Sequence, residues 1–237
     1  MLTMRDHGVE DYAVLQDMDA TDVGVLCDDD RACLEELGQY LAGSDAWHRF
    51  GVWLLHKHFE PAPGEVFVEH AIRTSRETET APVERSAFPA LSTTSIRFDD
   101  AVTDGVGVIS MEFAPVAEFG DTSPLSDDDE AALAGIAERL AALGKMNRFG
   151  VRLIRNPLGL SEHELLHETC DSAHRTLRCT VGKRDVLLTD QTTVQTAWRW
   201  RVVEGKTQPA VMSECTVTCT RALAEGHDLA HLNSEAN

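Results

Sequence analysis

The chain has 237 residues, 43% of them hydrophobic, and a formal net charge of −19. That length suffices for a sizeable core, in one large domain or two small ones, while the charge disfavours binding to nucleic-acid phosphates or an anionic membrane surface. No run approaches the roughly 18 to 20 apolar residues that span a bilayer, and Met1 to Glu10 lacks the layout of a signal peptide, so the expected setting is cytoplasmic.

Residues 1–27 read as an N-terminal arm whose apolar patch, Val23 to Leu26, suits an edge strand or a loosely packed segment. Asp28-Asp29-Asp30 then opens a helix, because acids in a first turn complement its positive end. Leu34, Leu37 and Leu41 follow at helical spacing and Gly43 is a plausible stop. Phe50 to Phe59 and Glu65 to Glu69 next read as a β-hairpin around Pro61-Ala62-Pro63-Gly64. Strand side chains alternate between faces, so His56 and His58 point the same way.

With Glu60 paired to Glu65, His58 faces Phe67 and His56 faces Glu69; cross-strand partners share a face. His56, His58 and Glu69 then form a two-histidine, one-carboxylate metal set, with Glu65 at its rim and Glu65 and Glu69 as catalytic candidates. Such a set suits a divalent ion: iron, zinc or copper. One more residue in the loop would flip the second strand and bring His70 to the histidine face instead. The plainer alternative is two half-buried histidines satisfied by glutamates.

Thr74 to Thr94, rich in Thr, Ser, Glu and Pro, reads as a loop. Strand-like stretches follow at Ser95 to Phe98 and Val106 to Phe113, and Ser126 caps a second helix running to about Leu143. At an offset of 99 the chain resembles itself: from Asp28 to Glu69, 14 of 42 ungapped positions are identical. Asp28-Asp29-Asp30 falls on Asp127-Asp128-Asp129, Arg49 to Val52 on Arg148 to Val151, and Glu65 and Glu69 on Glu164 and Glu168. The expected fold is α+β: an internally duplicated helix plus antiparallel hairpin unit, residues 28–120 and 121–222, sharing a mostly β core in one compact domain. His56 falls on Arg155 and His58 on Pro157, so the second copy is expected to hold an Arg155–Glu168 ion pair where the first holds the site. Further strands are expected at Arg175 to Val181, Val186 to Thr189, Thr193 to Val203 and Ala210 to Thr220, before a frayed tail, 223–237.

His163-Glu164-Leu165-Leu166-His167 matches H-E-x-x-H, which a zinc hydrolase carries on a helix. The repeat aligns it with a strand, where the two histidines stand about 13 Å apart and cannot share an ion. The six cysteines include no C-x2-C pair and read as buried thiols. No P-loop, G-x-S-x-G or dinucleotide-binding glycine pattern is present.

Leu54-Leu55-His56-Lys57-His58-Phe59, followed by Gly64-Glu65, resembles the hairpin motif of an uncharacterised actinobacterial and fungal protein family, as does Glu164 to Leu177 with Asp171 and Arg175-Thr176-Leu177. No activity comes with that resemblance. H-x-H followed by Glu is also similar to the cupin metal motif, and a duplicated helix-plus-sheet module resembles vicinal-oxygen-chelate proteins; both imply a metal site. The chain is therefore expected to be a metal-dependent enzyme, an oxidoreductase or lyase, with a small-molecule substrate. The alternatives are a non-catalytic acidic interaction protein and the H-E-x-x-H zinc hydrolase.

Overall fold

The computed structural model describes residues 2–18, 23–88, 90–99, 106–118, 125–190, 192–203 and 210–220. The tail expected to fray, with His227 and His231, lies outside them. The chain opens with strand β1 (Leu2–Asp6) and the short helix α1 (Val9–Ala13). Then come α2 (Asp28–Gly43), β2 (Phe50–Leu54), β3 (Glu65–Ile72), β4 (Glu77–Glu84), β5 (Leu91–Asp99) and β6 (Val106–Pro115). The second stretch contains α3 (Asp127–Ala142), β7 (Phe149–Leu153), β8 (Glu164–Asp171), β9 (Thr176–Lys183), α4 (Arg184–Thr189), β10 (Thr193–Val203) and β11 (Ala210–Thr220).

Ten strands close into a barrel in the order β6-β3-β4-β9-β8-β11-β10-β2-β7-β5, with β5 pairing back to β6 and β1 lying parallel to β6. The protein is thus a mixed α/β molecule dominated by a closed barrel, with four helices among the described residues. Closure leaves no free edges within the ring.

Local signals explain the two long helices. Ser126 Oγ accepts from the Asp129 amide at 3.1 Å while the Asp129 carboxylate accepts from the Ser126 amide at 2.9 Å, a capping box at the start of α3. Asp30 accepts from the Cys27 amide in the same way at α2. Leu34, Leu37 and Leu41 of α2 and Leu133, Ile136 and Leu140 of α3 turn one stripe of each helix onto Phe50, Val52, Leu54, Phe149 and Val151. On the other side of β2, Trp53 meets Phe67, Met111, Ala197 and Val217 from β3, β6, β10 and β11. Strands so far apart in the ring can touch only across its inside, so this second cluster is the barrel interior. Tyr12 and Leu15, from α1 and the turn after it, pack onto it, and the Tyr12 hydroxyl donates to the Met111 carbonyl. Gly150 lets strands approach: a Cβ there would collide with the Trp53 ring, whose Nε1 donates to the Ile96 carbonyl.

Element bounds repeat at a spacing of 99 from α2 and α3 through β4 and β9. β2 and β7 pair antiparallel with Val52 opposite Val151, and β4 and β9 pair with Glu79 opposite Arg178, so each register centres on residues 99 apart. Asp30 binds Arg148 while Asp129 binds Arg49. Arg76 binds Glu164 while Arg175 binds Glu65.

Three expectations need correction. The β2–β3 hairpin does not form: both flanks of β2 are occupied, by β7 and β10. Beyond Leu54 the chain leaves the ladder, and Lys57 instead bridges to Asp17 in the arm. Thr74 to Thr94 is largely strand, because Thr78 and Thr80 of β4 are buried and satisfy the period of two. Val186 to Thr189 belongs to the short helix α4. Within the arm, β1 and α1 are ordered parts of the fold, and Tyr12, Leu15 and Met18 are buried.

Candidate metal centre

The histidines lie on the ten-residue connection that leaves β2, while Glu168 sits in β8 and Cys219 in β11. β8 and β11 run parallel with Glu168 opposite Cys219, so carboxylate and thiol stand side by side. His56 folds back: its Nδ1 lies 2.8 Å from the Leu54 carbonyl, whose only role there is acceptor. That bond makes Nδ1 a donor and turns Nε2 toward the site.

Glu168 Oε1 is the common point. It lies 3.5 Å from His56 Nε2 and 3.0 Å from His58 Nε2, while Cys219 Sγ is 3.6 Å from His58 Nε2. The four donor atoms of His56, His58, Glu168 and Cys219 all fall within 4.8 Å of one another. Donors on a tetrahedral zinc, bonded at about 2.0 to 2.3 Å, stand roughly 3.3 to 3.8 Å apart, so small side-chain shifts suffice to coordinate an ion. The group is buried: His56, Glu168 and Cys219 are 7%, 7% and 1% exposed. A cavity of about 30 Å³ adjoins it, walled by Trp53, Phe59 and Phe67.

Burial pushes the Glu168 carboxyl up, but hydrogen bonds and charge from His56 and His58 outweigh it and hold the group well below the usual carboxylate range. Burial pulls the His58 imidazole down, yet Cys170, Cys219 and Glu168 together raise it to about 12. Burial raises the Cys219 thiol to about 11 against the opposing pull of His58. Behind the group, the Cys179 thiol points at Glu168 Oε2 from 3.9 Å, an outer partner that orients the carboxylate. This group can hold a metal ion: two imidazoles, a carboxylate and a thiol converge on one point.

The structure brings together two of the residues singled out from the sequence, His56 and His58, and places the others elsewhere. Glu69 is buried on β3 and paired with Arg152, whose Nη2 is 3.3 Å from each carboxylate oxygen. Glu65 is gripped by Arg175, which lowers its pKa. The Arg155–Glu168 pair is not found; Arg155 donates to Ser92 Oγ and the Thr93 carbonyl. His70 bonds to Glu118. Glu164 to His167 of H-E-x-x-H lie on strand β8, and His167 bonds to Thr218 and Thr220, so the helical zinc motif does not form.

Glu168 and Cys219 are the additions. Glu168 stands 99 positions after Glu69 in the sequence. No spacing pattern pointed to Cys219. Comparison with known proteins finds no family model, no curated protein and no solved structure that matches the chain.

Proposed function

We propose that this protein is a metal-dependent enzyme acting on a small molecule, with one divalent ion held by His56, His58, Glu168 and Cys219. The observation that carries the reading is the convergence of four donors, two imidazoles, a carboxylate and a thiol, within 4.8 Å of one another. A thiolate beside two imidazoles suits zinc, which favours redox-neutral, lyase-type chemistry over an oxidoreductase. The ion would supply Lewis acidity, and the cavity of about 30 Å³ beside the group has room for roughly one water. His56 is pre-oriented by the Leu54 carbonyl and Glu168 by the Cys179 thiol. A small substrate agrees with the −19 charge, which repels nucleic acid and anionic membranes; no helix of the described residues is long and apolar enough to cross a membrane.

The architecture reads as an internal duplication folded about a pseudo-twofold axis. Its support is the 99-residue spacing of the elements, the two self-centred registers and the reciprocal ion pairs. In that reading Glu69 and Glu168 are one position with two fates. One is neutralised by an arginine across the barrel, the other by imidazoles.

Metal analysis of the purified protein tests the function. One equivalent of zinc per chain is expected, lost from His56→Ala and Glu168→Ala and retained in Glu69→Gln. Loss should exceed the roughly 10- to 100-fold cost in affinity of removing an outer hydrogen-bond partner. Protein that takes up no divalent ion after incubation with zinc, or that binds it equally in Glu168→Ala, contradicts the proposal.

A further inference from the structure

Beside the β7–β8 connection, residues 154–163, lies a cavity of about 310 Å³ walled by Leu158, Leu165, Leu166, Ala197 and Val217. Protein interiors pack densely, so a space of this size is uncommon, and it reaches the range of small-molecule sites, roughly 300 to 1,000 Å³. The residues that leave it open have larger counterparts. Leu158, Leu166 and Thr78 stand 99 positions from Phe59, Phe67 and Leu177, which line the pocket of about 30 Å³ beside the histidines. Smaller side chains thus keep one space clear where larger ones narrow the other.

The charged groups on the wall are engaged within the protein. Arg152 pairs with Glu69 at 3.3 Å and stands 3.9 Å from Glu112. Arg76 holds Glu164 at 2.8 Å, and Glu214 holds Arg199 at 3.0 Å. Arg155 donates to Ser92 Oγ and the Thr93 carbonyl, and Arg184 to the Glu162 and Glu164 carbonyls. A charged guest would enter without a free countercharge, and burying an unpaired charge is costly. A neutral guest leaves all of these pairs intact. The hydroxyl of Thr94, by contrast, is not engaged. Thr94 lines the cavity at a bulge of β5, between Thr93 opposite Phe113 and Ser95 opposite Glu112. It is 2% exposed, and its hydroxyl has no hydrogen-bond partner among the described residues. Buried hydroxyls ordinarily find one.

We infer that this cavity binds a neutral small molecule: an apolar body carrying one hydroxyl, carbonyl or amide group that bonds to Thr94. Scaling the roughly 150 Å³ that accommodates benzene gives room for about 12 non-hydrogen atoms. The leucines take the body, and the Thr94 hydroxyl, both donor and acceptor, fixes the polar end. The inference does not rest on the metal, since none of the four proposed ligands lines this cavity.

Calorimetric titration of the full chain with 3-phenylpropan-1-ol, 4-phenylbutan-2-one and 3-phenylpropionamide, beside the charged analogue 3-phenylpropionate, tests it. The titration is run on chelator-treated and zinc-loaded protein, so that failure of the metal reading leaves this result interpretable. At least one neutral compound should bind one-to-one in both preparations, with the carboxylate weaker by about tenfold or more. Thr94→Val, which removes the hydroxyl and keeps the shape, should weaken that binding about fivefold. Leu158→Phe/Leu166→Phe, which installs the aromatic pair of the smaller pocket, should abolish binding while the circular dichroism spectrum is kept. If that double variant loses the spectrum, the single Leu158→Phe should still weaken binding. No binding by any of the three neutral compounds, a carboxylate that binds as well as they do, unchanged binding in Thr94→Val, or undiminished binding in the folded filled variant overturns the inference.

Discussion

Arg152 is half-buried beside two buried carboxylates, Glu69 and Glu112. Burial pushes the Glu112 carboxyl up, with Arg152 pulling against it, and Ser95 donates to its Oε2 at 2.9 Å. Removing the guanidinium strands Glu69 in a dry interior. Arg152→Met should therefore cost about 3 to 5 kcal/mol in chemical denaturation; a cost below about 1 kcal/mol would mean that Glu69 is solvated. His7 makes a second residue-level prediction. The ring is buried and packs against Tyr12, Phe67 and Phe113. Burial lowers its pKa to about 4. The folded state thus favours neutral His7, while the unfolded chain takes up the proton near pH 6.5. The stabilisation is present above about pH 6.5 and is lost as pH falls towards 4, by up to about 3 kcal/mol. His7→Phe should flatten that part of the stability–pH curve, and an unchanged slope would show that His7 is not the group responsible.

At the scale of elements, the helix N-termini are tied to the turns that lead into β7 and β2. Asp30 caps α2 and also takes Lys145 at 2.6 Å and Arg148 at 3.3 Å. These partners hold its carboxyl below the usual range although burial opposes them. Asp30→Asn should lose about 2 kcal/mol, combining a cap with two partly buried ion pairs, and Asp129→Asn should do likewise at α3. Equality with wild type in urea would show that these pairs are ornamental. The helices were legible because an acidic triplet followed by leucines at helical spacing fixes both a start and a buried stripe. The hairpin was misread because Phe50 to Phe59 is apolar enough to look continuous, whereas β2 stops at Leu54. Thr74 to Thr94 hid a strand because its inward residues are threonines facing a polar barrel interior, so hydrophobic alternation was missing. His56 and His58 could be found from their spacing. Glu168 could not be assigned to them, since their meeting depends on the order β2-β10-β11-β8 around the ring, which local pattern does not encode.

At the scale of the whole molecule, both stretches contribute to one ring and meet at β4–β9, β10–β2, β2–β7 and β7–β5. Neither can close alone: residues 28–120 by themselves would expose unpaired edges at β2 and β4. The full chain should unfold in one calorimetric transition, and the fragment 28–120 should give no stable monomer by size exclusion and circular dichroism; a folded monomeric fragment would show two independent units. The ring also explains why the candidate metal group is a property of the complete fold, since its four residues come from the connection after β2, from β8 and from β11. Cobalt(II) substitution reads that group most directly, because thiolate ligation and tetrahedral geometry both mark the visible and near-ultraviolet spectrum. The account predicts one equivalent of cobalt giving an intense tetrahedral spectrum with a thiolate charge-transfer band, the band lost in Cys219→Ser and unchanged in Glu69→Gln. A weak six-coordinate spectrum without thiolate character, or one that survives Cys219→Ser, would contradict it.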